Sequence, residues 1–246
     1  MKSLILVHGD KGGVGKSFTA KILLDILYDP SEKYLGLLDC DFRNPDVSVV
    51  YEDKIPTGKF DLTQGEGWAG MVDWIQNVDC EIIVASLPAQ VGKSADEFGG
   101  IFSEAMQSIG VSLNIVWLLD SGRDSVVLLS NCLKQGWPYK RFFVVRNTFL
   151  SREFDIWDSS SAKKSYFELP YAEDMTIPPL DPAIRDALVK RNLTFSEGFE
   201  LPSEETGLNA FNSIRLKKFV ADSRKSLGRI VKSVIEDISE KEGEAN

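Results

Sequence analysis

Lys11, Gly12, Gly13, Gly15, Lys16 and Ser17 are the residues of this chain whose types and spacing could do chemistry, and that chemistry is the holding of phosphate. Glycines lack a Cβ, so the backbone can curl with its N–H groups turned inward and come close to anionic oxygens. A helix starting at Ser17 adds its positive end to the attraction. Lys16 would reach the terminal phosphates of a nucleotide, and the Ser17 hydroxyl would hold Mg²⁺. Two elements must position this loop. Ser3 to Val7 has the aliphatic run of a strand buried on both faces, and Ser17 to Tyr28 places Ala20, Leu23, Leu24 and Leu27 at helical spacing.

The strict pattern GxxxxGK[ST] fails because Asp10 stands where the first glycine belongs, whereas KGGxGK[ST] fits without a mismatch. In that form, with its extra lysine at position 11, the chain resembles the ParA/MinD family of P-loop ATPases. The resemblance implies ATP and Mg²⁺ as ligands and a nucleotide-sandwich dimer. In such a dimer Lys11 acts in trans on the partner's ATP. Gly12, Gly13, Val14, Gly15, Lys16, Ser17 and Phe18 would line the nucleotide, and Lys11, Lys16 and a carboxylate would carry hydrolysis.

A second apolar run, Tyr34 to Leu38, ends in an acidic cluster from Asp39 to Asp46. Carboxylates at the carboxyl end of a parallel strand overlook the crevice where ligands bind; a polar loop with clustered acids is the other reading. The resemblance makes this segment switch I, with Asp39 near the magnesium and Asp41 polarising the attacking water. A third strand, Glu81 to Ala85, runs into Ser86 at the position where family members carry the Walker B aspartate. Serine supplies no negative charge to the metal's water shell. The expectation is ATP binding with turnover below about 1 per second.

Fourth and fifth strands are expected at Leu113 to Leu119 and Arg141 to Val145. Asp124 and Ser125 suit a helix start, read as capping ahead of ligand contact. Asn147, after the fifth strand, reads equally as a turn former and, by the resemblance, as the residue whose amide pairs with the adenine edge. Phe167 to Tyr171 is read as a short sixth strand. Relatives pass the backbone beside the base there, which adds Pro170 to the nucleotide-binding residues. Residues 53–70 read as an irregular connection, 71–76 as a short helix and 151–165 as a surface loop.

With 246 residues and 43% hydrophobic content, the chain can bury one sizeable core. The expected architecture is a single α/β P-loop domain over 1–246, its mostly parallel sheet flanked by helices on both faces, with a helical segment from about 183. No apolar run is long enough for a membrane span, and Lys2 and Ser3 lead directly into a strand, so a cytoplasmic location is expected. Three separated cysteines, Cys40, Cys80 and Cys132, with one histidine, His8, form no zinc or disulfide pattern and read as small buried hydrophobes.

Residues from about Glu204 to Ser239 read as a long helix with a break near Asn212. Leu216, Phe219, Val220, Leu227, Ile230, Val231, Val234 and Ile238 share one sector. Lys217, Lys218, Arg224 and Lys225 lie on another, read either as a solvated face or as a local contact with the DNA backbone. The net charge of −9 confines any such contact to a patch. Acids from Glu236 to Glu244 outnumber Lys241, which disfavours an anionic membrane as partner.

The resemblance implies an ATP-dependent dimerising switch in DNA partitioning or conjugative transfer, working with a DNA-binding adaptor protein. Within the family, the segments around Ser86 and Arg146 look like the plasmid StbB and TraL-like branch. The alternative is an adaptor that binds ATP and recruits a partner without significant hydrolysis. A ligase of the dethiobiotin synthetase type lacks a lysine at the position of Lys11.

Overall fold

The computed structural model describes residues 2–9, 11–32, 34–42, 44–89 and 91–244, with 240–244 as backbone only. Seven strands form one parallel sheet: β1 (Ser3–His8), β2 (Leu35–Asp39), β3 (Thr57–Lys59), β4 (Ile82–Ser86), β5 (Ser112–Leu119), β6 (Arg141–Asn147) and β7 (Asp174–Ile177). Their order is β3-β2-β4-β1-β5-β6-β7. The long helices are α1 (Lys16–Leu27), α3 (Gly65–Asn77), α4 (Gly92–Ser108), α5 (Arg123–Gln135), α8 (Pro182–Arg191) and α11 (Ala210–Glu244). Single turns or short helices make up the rest: α2 (Ser48–Tyr51), α6 (Asp155–Asp158), α7 (Ser161–Phe167), α9 (Glu197–Glu200) and α10 (Ser203–Thr206).

Central strands buried on both faces need no polar alternation, which is why β1 reads as an unbroken apolar run. Its Ile5 and Val7 face a core shared with α1, α8 and α11, while Leu4 and Leu6 face a second core with α3, α4, α5 and α7. The chain leaves β1 for β2 on one side and later crosses to β5 on the other. The carboxyl end of β1, where the glycine loop begins, is therefore the point at which the strand order reverses and a crevice opens.

Four segments depart from the expected reading. Residues 53–70 contain the edge strand β3, and α3 begins at Gly65 rather than at Met71. The glycines that suggested a loop are packing sites: a Cβ on Gly67 would lie 1.8 Å from the Asp61 carbonyl oxygen, and one on Gly58 would lie 2.9 Å from Leu38 and Phe60. Residues 151–165 hold α6 and the start of α7, fastened by the buried Trp157 and Tyr166 beneath a serine-rich, charged exterior. Residues 167–171 are the end of α7 and a turn; the next strand starts at Asp174. The C-terminal break falls at Gly207, in the left-handed region at φ 68°, and Asn209 accepts the Asn212 N–H at 2.9 Å to start α11. All eight apolar residues expected on its inner sector are buried.

Candidate functional site

The loop between β1 and α1 is held in the shape its glycines permit. Gly13 and Gly15 adopt φ values of 74° and 105°. A Cβ on Gly15 would sit 2.4 Å from Asn147 Nδ2, so glycine is required by conformation and by space. Lys16 begins α1 with its side chain folded back under the loop. Its ammonium donates to the carbonyl oxygens of Gly9, at 2.7 Å, and Lys11, at 3.0 Å. The result is a buried cation with backbone oxygens around it, in a cradle open to solvent at Gly12 and Gly13.

Lys11 points across the mouth of this cradle. Its Nζ lies 2.7 Å from Asp120 Oδ2, at the carboxyl end of β5, and its side chain is 37% exposed. Asp120 Oδ1 accepts the Gly122 N–H at 2.8 Å. Ser125, expected to cap α5, instead receives the Asp120 N–H on its hydroxyl at 3.2 Å, and neither Asp124 nor Ser125 caps α5, whose N-cap is Gly122. These bonds tie the end of β5 into the glycine-loop end of the sheet.

The acidic side is differently occupied. Asp39 Oδ2 accepts the N–H groups of Val47 (3.2 Å) and Ser48 (2.8 Å), and Oδ1 accepts that of Asp41 at 3.4 Å. Burial pushes the Asp39 carboxyl above its ordinary range, against the opposing pull of these backbone donors. Asp41 is half-buried and accepts the Asn44 N–H at 3.2 Å. Ser86 pairs in register with Asp39 and with Val7, and its fully buried hydroxyl has no hydrogen-bond partner among the described residues. Ser17, in the first turn of α1, is half-exposed and makes no side-chain hydrogen bond among the described residues. The solvent-reachable Ser17 hydroxyl beside the glycine loop suits a hydrated divalent cation next to bound phosphate, whereas the Ser86 hydroxyl lies too deep to meet one.

Asn147 stands at the end of β6, 3% exposed, and its carboxamide braces the loop from beneath. Nδ2 donates to the Val14 carbonyl at 2.9 Å, and Oδ1 accepts the Phe149 N–H at 3.1 Å. A carboxamide has a second N–H and further lone pairs, so both open readings of this residue survive in one side chain. Beside it a cavity of about 210 Å³ opens next to Gly13 and Gly15, walled by Phe149, Leu150, Leu180 and Arg185. Those four residues escaped sequence reasoning. The exposed Phe149 and Leu150 directly after Asn147 were the available signal. Phe18 borders the same cavity but turns its ring onto Phe195 and Phe219, at centroid distances of 5.4 and 5.8 Å.

Pro170 is not part of this site. It lies in the turn before β7, whose first residue Asp174 pairs with Val144, and the neighbouring Tyr171 ring stacks under Arg141 at the start of β6. That is the amino edge of the sheet, opposite the glycine loop. On α11, Lys217, Lys218, Arg224 and Lys225 are all exposed and none makes an ion pair among the described residues.

No family model matches the chain. It is 26% identical over 204 residues to protein MobD of Acidithiobacillus ferrooxidans, covering 82% of this chain and 88% of that one. Among solved structures it resembles the MinD cell division protein of Aquifex aeolicus with a TM-score of 0.50 and 17% identity, over 93% of this chain and 97% of that one. The ATP complex of Cyanothece McdA gives 0.51 and 14% over 93% and 96%, and the cell division ATPase MinD of Pyrococcus furiosus 0.50 and 16% over 90% and 99%. The fold is that of the MinD and McdA P-loop ATPases, as the KGGxGKS loop leads one to expect.

Proposed function

We propose that this chain is a nucleotide-dependent switch of the ParA/MinD type, which binds Mg-ATP in the glycine loop and pairs with a second copy around two nucleotides. The observation that carries the reading is the preformed cradle: two left-handed glycines, a buried Lys16 ammonium on exchangeable carbonyl bonds, and a second ammonium, Lys11, at its open rim. Phosphate oxygens arriving in the cradle would replace neutral carbonyls as partners of Lys16, giving charge-assisted hydrogen bonds. Asn147 and the cavity beside it would take the base.

Hydrolysis would be an in-line displacement: water's oxygen bonds to the γ-phosphorus, the bond to the bridging oxygen breaks, and ADP leaves. Lys16 and the partner copy's Lys11 would stabilise the spreading negative charge. Ser17 and Asp39 would hold the magnesium, which when bound neutralises phosphate charge. Asp41 is the carboxylate available to orient the water. With Ser86 contributing no charge and Asp39 engaged by three backbone N–H groups, turnover is slow, below about 1 per second. The same two facts favour the second reading, a switch whose ATP-bound dimer recruits a partner protein and whose hydrolysis does not matter.

The role in DNA partitioning or transfer rests on the resemblance and on the exposed basic face of α11. Among the described residues no helix is long and apolar enough to cross a membrane. Sedimentation of the purified chain with and without Mg-ATP, beside a Lys11→Ala variant, tests the switch. An ATP-driven dimer that the variant cannot form is the expected result, and a nucleotide-bound chain that stays monomeric would overturn it. Adding a random duplex at low and raised salt in the same runs reads the basic face.

A further inference from the structure

At the amino edge of the sheet, the end opposite the glycine loop, an open cavity of about 510 Å³ lies between the start of β6, the turn before β7 and the second half of α11. Arg141 and Tyr171 line it from the sheet side, and Gly228, Arg229, Lys232 and Glu236 line it from α11. Its volume is that of small-molecule sites, which combine apolar or aromatic surface with a few placed polar groups. Two of its features have no explanation in the packing of the chain. Gly228 stands in the middle of α11, where glycine is the least favourable residue after proline. No close approach requires it: a Cβ there would meet nothing within 4 Å, so the missing side chain leaves only room in the cavity. Tyr171 is 47% exposed although its ring is held in place, with the Arg141 guanidinium carbon 5.2 Å from its centroid.

The charges around the cavity do not cancel. Arg141 is committed to Asp237, which also takes Lys140 at 2.7 Å, and Arg229 Nε lies 2.9 Å from Glu173. Lys232 is differently placed: its side chain is 76% exposed, and its contact with Glu236, at 3.6 Å, is beyond hydrogen-bond distance. Across these groups four cations face three carboxylates, an excess of one positive charge. The ammonium that carries it reaches solvent on the cavity wall.

We propose that this cavity binds a small aromatic carboxylate, its ring against Tyr171 in the space over Gly228 and its carboxylate on the Lys232 ammonium. Aromatic rings in offset or edge-on contact gain beyond the area they bury, and the tyrosine offers such a surface without having to be exposed first. A monoanion matches the single excess charge. A phosphate dianion would meet Glu236 and Glu173 and find no second cation as lightly held as Lys232. The site stands at the far end of the sheet from the glycine loop, so occupying it leaves the nucleotide cradle open.

The test uses the full chain without nucleotide, so it stands whether or not the ATP reading holds. Equilibrium dialysis compares two probes of the same shape and different charge, indole-3-acetate and indole-3-acetamide, on wild type, Lys232→Gln and Gly228→Leu. Saturable binding of one acetate per chain is expected, with the acetamide roughly fivefold weaker, as suits an exposed ion pair. Lys232→Gln should bring the acetate down to the affinity of the acetamide. Gly228→Leu fills the cavity from a position where leucine favours the helix, and it should abolish binding of both probes without lowering the thermal melt. An acetate that does not saturate at millimolar concentration would mean that the cavity is a solvent-filled groove and would overturn the proposal. So would equal affinity for the two probes, or undiminished binding by Gly228→Leu. If that variant fails to fold, Lys232→Gln decides: an acetate affinity that it leaves unchanged is equally fatal.

Discussion

The lysine half and the carboxylate half of the nucleotide end differ in how their polar groups are committed. Lys16 has the carbonyl oxygens of Gly9 and Lys11 among its partners, and Lys11 faces the Asp120 carboxylate across a partly solvated gap. On the proposed reading, both would exchange these partners for phosphate oxygens. Asp39 accepts three backbone N–H groups from the segment leading into α2, and Asp41 closes its own turn on Asn44. Those carboxylates hold the chain in place before any metal arrives. A site built this way is prepared to bind an anion and ill-prepared to drive hydrolysis, and each prediction below tests one side of that contrast.

The largest effect is expected on the lysine side. Lys16→Ala removes the ammonium buried in the cradle, and a charge-assisted contact of this kind contributes about 3 kcal/mol, or roughly 100-fold in nucleotide affinity. Fluorescent-nucleotide titration should show that loss while the thermal melt moves little, since the carbonyls that Lys16 leaves can turn to water. A variant that keeps its affinity would mean that phosphate does not enter the loop.

The part of this site that could be read from the sequence is the part that is local in the chain. Residues 11–17 carry the whole cradle in one stretch, and β1 carries its burial in one apolar run. What escaped depends on contacts between distant segments. The cavity walls Phe149, Leu150, Leu180 and Arg185 come from the connections after β6 and β7 and from α8, which meet only after β6 and β7 pair. Pro170 was misplaced because the position of its turn is set by Tyr166, whose hydroxyl accepts the N–H groups of Val144 and Glu173. The glycines of 58–70 looked like loop residues because the backbone and rings they admit are remote or unremarkable in sequence. Asp39 was legible as a carboxylate at a strand end, but its bonds to Val47 and Ser48 follow from a turn that no local pattern announces.

On the carboxylate side, Asp39→Ala leaves the buried N–H groups of Val47 and Ser48 without an acceptor, which should lower stability by about 2 kcal/mol at neutral pH. Urea unfolding would measure it. The pH dependence has a definite sign. Burial raises the folded-state pKa of Asp39 above its ordinary value of 3.8, so across the window between the two values the folded chain retains a proton that the unfolded chain has lost. The contribution of this group therefore falls as pH rises through that window. The difference between wild type and variant should be largest below about pH 4 and shrink above it. A difference that grows with pH would show that the backbone donors outweigh burial and that Asp39 is stabilised as the anion.

The smallest effect bears on the link between the halves. Asp120 holds Lys11 within its own chain, whereas a sandwich dimer needs that lysine on the partner's nucleotide. Asp120→Asn keeps an oxygen for the Gly122 N–H and removes the charge that holds the ammonium. Because Lys11 is more than a third exposed, solvent screens the pair and its worth is about 0.5 to 1 kcal/mol. Freeing the lysine should therefore tighten Mg-ATP-dependent dimerisation by roughly two- to fivefold, read as a shift of the sedimentation isotherm to lower protein concentration. The opposite shift would mean that Asp120 serves the assembled pair, receiving a cation from the other copy. The contact seen here would then be a resting partner for Lys11 in the monomer, with dimerisation exchanging one lysine for another at the same carboxylate.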